Sequence, residues 1–214
     1  MKKYIKFLLI TALILGVACT VREHYLSDRT ADNLHLPREL ILINRNNSIP
    51  ENFEVDLTEV QDGEQVDKRI YIYLEEMLAD AVKAGYAPEI TSGYRPEEYQ
   101  KELFNNKVAE YRDAGYSKRE AEKQASLQIA KPGHSEHETG LAVDINSADG
   151  NSWELYGWLK ENSFRYGFII RYPYDKENIT GISYEPWHLR FVGKESAEYI
   201  FRNNITLEEF LLLQ

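Results

Sequence analysis

Ser135-Glu136-His137-Glu138-Thr139-Gly140-Leu141-Ala142-Val143-Asp144 joins an imidazole, a glycine and a carboxylate to the start of an apolar run. His137 and Asp144 are seven residues apart, with Gly140 between them. If the chain passes from loop to strand at Leu141, Asp144 returns beside His137. Leu141 and Val143 then point to a buried face, opposite Ala142 and Asp144. A helical H-E-x-x-H zinc site is ruled out, because Leu occupies position 141, where the second His would stand, and Gly140 weakens any helix.

About forty residues beyond Asp144 comes Glu185-Pro186-Trp187-His188, where a tight turn or strand start can aim Glu185 and His188 into one cavity. The two segments offer two imidazoles and a carboxylate for one zinc ion, with a spare glutamate. This is the inventory of a hydrolytic zinc site: three protein ligands, an open position for water and a general base. Three of the five His (His134, His137, His188) fall in these segments. His134 forms an H-x-x-H with His137 and is a rival ligand; His137 is favoured because it has the paired Asp144. His24 and His35 lie in a polar tether as solvated bystanders.

Working outward, Ala87–Thr91 reads as a strand leading into the turn Ser92-Gly93-Tyr94-Arg95-Pro96. Lys68–Ala84 spaces Ile70, Tyr73, Leu74, Met77, Leu78 and Ala81 by threes and fours, and Gly85 closes the helix. Helical patterns follow at Pro96–Ala114, at Ser117–Ala130 (with a Ser117/Glu120 capping box) and at Trp153–Tyr166. Phe168–Tyr172 and Trp187–Val192 read as strands. Two C-terminal helices close the chain, the last capped by Thr206. Glu39–Asn44 reads as a short buried strand opening the domain. The fold class is α+β, a small antiparallel sheet with surrounding helices.

The 214 residues suit one domain, 39–214, behind an appendage. Lys2, Lys3 and Lys6 precede an apolar stretch, Phe7–Ala18, too short to span a membrane and suited to an export signal. Cys19 after Leu15-Gly16-Val17-Ala18 resembles a bacterial lipobox, with Gly16 off pattern; a cleaved signal or a signal anchor are the alternatives. Residues 1–19 are thus a signal or lipoprotein-type membrane segment and 20–38 a tether. Cys19 is the sole cysteine, which excludes an internal disulfide and a thiolate zinc cage. Removing the three Lys of the first nineteen residues from the 25 Lys and Arg leaves 22 bases against 35 acids. Such a surface repels phosphate backbones, so nucleic acid is not an expected partner.

Ser-x-His-x-x-Gly-x-Ala-x-Asp at 135–144, Glu-Pro-Trp-His at 185–188 and Ser-Gly-Tyr-Arg at 92–95 together resemble the VanY-type family of bacterial zinc D-alanyl-D-alanine and L,D-carboxypeptidases, related to the VanX-type D,D-dipeptidases. The resemblance spans about residues 40–202 and implies a hedgehog/D,D-peptidase-like zinc fold. It implies that His137, Asp144 and His188 bind Zn2+, that Glu185 is the catalytic base and that Arg95 polarises the scissile carbonyl. Gln100 and Ser135 fall at positions that look substrate-contacting. The implied substrate is a peptidoglycan stem peptide losing its C-terminal D-alanine outside the cytoplasmic membrane. L,D-cleavage of tetrapeptides is slightly favoured by the Pro132–His137 run and the Arg95/Gln100 pair, with D,D-cleavage of pentapeptides as the alternative. A non-catalytic zinc-containing binding module is the rival of another class; Glu185 argues against it, since such a module needs no base. Arg171 is expected in a solvated salt bridge or on a substrate carboxylate.

Overall fold

A computed structural model describes residues 37–214; the expected signal, Cys19, and the tether up to residue 36 lie outside the described residues. In chain order the elements are β1 (Leu57–Glu59), β2 (Gln65–Asp67), α1 (Lys68–Lys83), β3 (Pro88–Ser92), α2 (Glu97–Asp113), α3 (Lys118–Ala125), β4 (Ala142–Ser147), α4 (Ser152–Asn162), β5 (Phe168–Tyr172), α5 (Glu177–Thr180), β6 (Glu185–Phe191), α6 (Lys194–Asn203) and α7 (Leu207–Leu211). Strands β1 and β2 form an antiparallel pair. The main sheet is antiparallel throughout, in the order β3-β4-β6-β5. The expected α+β class is the observed one.

Helix α1 buries Ile70, Leu74, Met77, Leu78 and Ala81, one stripe at helical spacing, and Asp67 caps it by accepting the Arg69 N–H. That stripe, with Leu155 and Leu159 of α4, covers the sheet face carrying Leu141, Val143, Ile145, Phe168, Leu189 and Phe191. Each such aliphatic or aromatic side chain removed from water contributes roughly 1.5–3 kcal/mol before the entropy of ordering is subtracted. A second apolar cluster joins Ile169 and Val192 to Ala197, Ile200, Leu207 and Phe210 of the C-terminal helices. Thr206 caps α7, and its partner Glu209 completes the capping box. Ser117 caps α3, which stops at Ala125, five residues short of the expected end.

Glu39–Asn44 departs from expectation. The apolar run is buried, as its composition requires, but it joins no sheet. Its carbonyls at Glu39 and Ile41 accept instead from the Arg190 guanidinium, and Leu40 and Leu42 enter the second cluster. A side chain thus does the work of a strand partner.

Two irregularities shape the sheet where the motifs meet. Between Ile90↔Ile145 and Ser92↔Asp144, β3 advances two residues while β4 advances one. Between Ile170↔Leu189 and Tyr172↔Glu185, β5 advances two while β6 advances four. Pro186, which has no N–H for a ladder, lies in the second.

Candidate active site

The sheet register assembles the site. Asp144 pairs directly with His188 across β4 and β6, and Ser92 pairs with Asp144 on the other side. Opposite residues of an antiparallel pair present their side chains to the same face, about 5 Å apart. The interruption at Pro186 brings Glu185 back to His188, with Glu185 Oε2 3.9 Å from His188 Nδ1. In a regular strand, residues three apart would face opposite sides.

His137 reaches the same point from a 3-10 turn, Glu136–Thr139, which Gly140 ends at φ 69°. A Cβ on Gly140 would stand 2.8 Å from the Asp67 N. Gly93 is needed for the same reason on the other loop, where a Cβ would lie 2.3 Å from the Gln65 carbonyl oxygen. Strand β2 therefore buttresses both loops: Asp67 N–H donates to the Gly140 carbonyl (3.0 Å) and Tyr94 N–H to that of Gln65 (2.5 Å). The Gly93 carbonyl in turn accepts from His137 Nδ1 at 2.8 Å, which leaves Nε2 to face Asp144.

The three ligand-type side chains converge. His137 Nε2 lies 3.4 Å from Asp144 Oδ2, His188 Nδ1 lies 3.0 Å from Asp144 Oδ1, and the two imidazoles meet edge to face. All three ligand atoms lie within 4.8 Å of one another. Asp144 Oδ1 is buried and has no hydrogen-bond partner despite the nearby His188 nitrogen. A buried carboxylate oxygen left without a hydrogen bond among ligand atoms this close calls for a further partner, and the His2Asp donor set suits zinc. His134 takes no part; its Nδ1 contacts the Asn44 carbonyl oxygen at 2.8 Å.

The electrostatics separate the two histidines. Burial lowers the pKa of His137, with Asp144 opposing. Burial also works against the charged form of His188, yet Asp144 and Glu136 overcome it and raise its pKa to about 9. Burial alone would raise Asp144, but the two imidazoles outweigh it and hold the carboxyl well below the usual range. At Glu185 burial wins, and its pKa is raised to about 7. A carboxylate tuned near neutrality is what general acid–base work asks for.

Arg95 stands on the far side of Asp144, its Nη2 3.9 Å from Oδ2. Its N–H donates to the His137 carbonyl, Nη2 to Ser92 Oγ (2.9 Å) and Nη1 to Gln100 Oε1 (2.8 Å). Arg95 Nε is buried without a partner. Gln100 has no exposed surface and donates its amide to the Ala130 carbonyl, so both its polar ends are occupied. Ser135 is buried at the head of the 3-10 turn, its N–H donating to Glu138. The structure places Gln100 behind Arg95 and Ser135 within the turn.

Four charged residues carry the site from behind. Glu136 Oε2 is 3.4 Å from His188 Nε2, and Glu136 Oε1 accepts from Arg171 and Arg190, both at 2.7 Å. Arg171 also makes a two-pronged pair with Glu208. Arg171 is fully buried, so neither its expected solvated salt bridge nor its substrate contact is what the fold builds. The missed signal was a charged residue inside each of two apolar strand runs, Phe168-Ile169-Ile170-Arg171-Tyr172 and Leu189-Arg190-Phe191. A buried charge requires a buried partner.

The profile of the VanY family, described as D-alanyl-D-alanine carboxypeptidase, matches residues 63–194. The chain belongs to the VanY family. A D-alanyl-D-alanine carboxypeptidase of Enterococcus faecalis (strain ATCC 700802 / V583) is 46% identical over 199 residues, covering 92% of this chain and 74% of the relative. A variant of the vancomycin resistance D,D-pentapeptidase VanY from a VanB-type cassette, solved in complex with Zn(II), is 48% identical with a TM-score of 0.78, covering 82% of this chain and 99% of that one. The LdcB LD-carboxypeptidase is 36% identical with a TM-score of 0.67, covering 82% of this chain and 87% of that one. The resemblance of the three motifs to the VanY family thus holds along most of the domain, and with it the D,D-peptidase fold and the metallo-carboxypeptidase class.

Proposed function

We propose that this protein is a zinc D,D-carboxypeptidase that removes the terminal D-alanine from pentapeptide stems of peptidoglycan. The observation that carries the reading is the convergence of His137, Asp144 and His188, with Glu185 3.9 Å from one ligand and Arg95 3.9 Å from another. His137 Nε2, the Asp144 carboxylate and His188 Nδ1 would hold the zinc. Bound there, zinc supplies Lewis-acid activation of water and of the peptide carbonyl at neutral pH. Glu185 accepts the proton of the attacking water and delivers it to the leaving amine of D-alanine. Arg95 places a permanent positive charge where the carbonyl oxygen develops its negative charge. Ser92 and Gln100 hold that guanidinium in place, so Gln100 acts through Arg95. Ser135 serves by setting the turn that delivers His137.

The sequence motifs lean slightly towards L,D-cleavage. The higher identity and TM-score to the D,D-enzyme than to the LD-carboxypeptidase favour the D,D reading. The L,D reading remains the second, supported by the 36% identity to LdcB. Such a substrate places the enzyme in the cell envelope, and the basic, apolar segment 1–19 is consistent with export, with or without a lipid on Cys19. Among the described residues no helix is long and apolar enough to cross a membrane.

The test is mass spectrometry of purified tetra- and pentapeptide stems after incubation with the zinc-loaded protein, beside Glu185→Ala. Loss of one alanine from the pentapeptide, absent in the variant, is the expected result. Loss from the tetrapeptide alone would move the protein to the L,D branch. No cleavage of either with zinc bound would sink both readings.

A further inference from the structure

The last helix, α7, lies beyond residues 63–194, where the family profile matches, yet its Glu208 pairs with Arg171 behind the metal site. We propose that Glu208 on α7 is a positioning residue for the metal ligand His188, acting through Arg171 and Glu136. The inference rests on the reading of His137, Asp144 and His188 as a zinc site.

The chain of contacts is continuous. Glu208 Oε1 and Oε2 accept from Arg171 Nη2 (2.7 Å) and Nη1 (2.9 Å), a fork-to-fork pair that fixes the guanidinium plane. The same guanidinium donates Nε to Glu136 Oε1 at 2.7 Å, and the other oxygen of Glu136 faces His188 Nε2 at 3.4 Å. A second route runs through an aromatic ring: Arg171 lies over Tyr172, 5.1 Å from its centroid, and that ring lies 4.9 Å from the His188 imidazole. The imidazole edge that Glu136 addresses is opposite the nitrogen that faces Asp144. A carboxylate on the outer nitrogen of a zinc-binding histidine sets its tautomer and ring angle and strengthens the ligand.

The charge count explains why α7 is needed. Glu136 alone receives two buried guanidiniums, Arg171 and Arg190, and the rest of Arg190 is taken up by the carbonyls of Glu39, Ile41 and Phe191. The two terminal nitrogens of Arg171 have Glu208 as their acceptor. Neutralising Glu208 leaves two arginines against one glutamate in a place water does not reach, and the surplus charge falls on Glu136. Glu136 is then drawn towards Arg171 and away from His188. Asn44 Nδ2, 3.3 Å from Glu208 Oε1, ties the Asn44–Asn47 loop to the same carboxylate.

The experiment compares Glu208→Gln, Glu208→Asp and Glu209→Gln in the full chain. Glu209 lies on the same helix, pairs with Lys176 and Thr206, and does not enter this chain of contacts. Zinc dissociation constants from chelator competition, and the visible spectrum of the cobalt-substituted protein, are read on the folded fraction. Glu208→Gln is expected to weaken zinc binding about tenfold, the low end of the range for residues supporting a metal ligand, and to shift the cobalt spectrum. Glu208→Asp is expected to recover part of both, and Glu209→Gln to leave both unchanged. If Glu208→Gln does not fold, the comparison of Glu208→Asp with wild type decides the matter. Unchanged zinc affinity and cobalt spectrum in the folded Glu208 variants, whatever happens to their melting temperature, would reduce Glu208 to a structural anchor and overturn the proposal. Neither measurement uses a peptide, so the inference stands or falls separately from the proposed substrate.

Discussion

On one face of the four-stranded sheet, Val143, Ile145, Phe168, Leu189 and Phe191 meet α1 and α4 in an apolar core. On the other, one residue along the same strands, stand Asp144, Arg171, His188 and Arg190, the last three no more than 4% exposed. The first face is stabilised by an effect that is non-directional and proportional to area, so its residues are replaceable by others of like volume. The second depends on pairs whose value lies in distance and angle, and removing one partner strands the other in a dry environment. Both faces are built by the same alternation of side chains, but they fail in different ways: the apolar face should lose stability alone, the charged face stability and function together.

The largest expected effect is Glu185→Gln, which removes the base and keeps the shape. Turnover should fall about 10²–10⁴-fold with zinc stoichiometry intact, read by alanine release and metal analysis side by side. Undiminished turnover would take the chemistry away from this face. Arg95→Lys cannot span Ser92 and Gln100 as the guanidinium does. It should lower kcat about 10²–10³-fold, the scale of one lost oxyanion donor, in steady-state assays on the same stems.

Leu189→Ala probes the opposite face of β6, next to His188. Denaturant unfolding should show a loss of about 2–5 kcal/mol, while the zinc affinity of the folded protein stays at the wild-type value. If affinity falls with stability, the two faces are not separable and the comparison breaks. Acid sharpens it further. Burial alone would raise Glu136, but the guanidiniums of Arg171 and Arg190 outweigh it and hold its carboxyl well below the ordinary 4.5. A depressed carboxyl contributes stability above its unfolded value and loses it as pH falls through the folded one. With chelator present, the melting temperature should therefore decline below about pH 4.5, and less steeply in Glu136→Gln. The smallest effect is expected at Trp153, 72% exposed on α4, where Trp153→Ala should alter stability by no more than about 0.5 kcal/mol in the same unfolding assay.

The residue pattern alone determined the α+β class, the stripe of α1, the buried side of Leu141 and Val143, and His137, Asp144 and His188 as one set. These are legible because they depend on short-range periodicity and on residue types that few other chemistries need. The preference for His137 over His134 was also legible, since only His137 has an acid returning to it along a strand.

Tertiary structure alone decided the rest. It placed Glu39–Asn44 against a guanidinium rather than in a sheet. It supplied the irregular register that brings Glu185 to the same face as His188, an arrangement that Pro186 permits but does not fix. It buried Gln100 behind Arg95, and it joined Glu136, Arg171, Arg190 and Glu208 from four separate segments. The physical reason is that a charge in a strand run states only that a partner is required. Which partner supplies it, and which imidazole nitrogen is left for the metal, depends on how strands, turn and C-terminal helix close on one another.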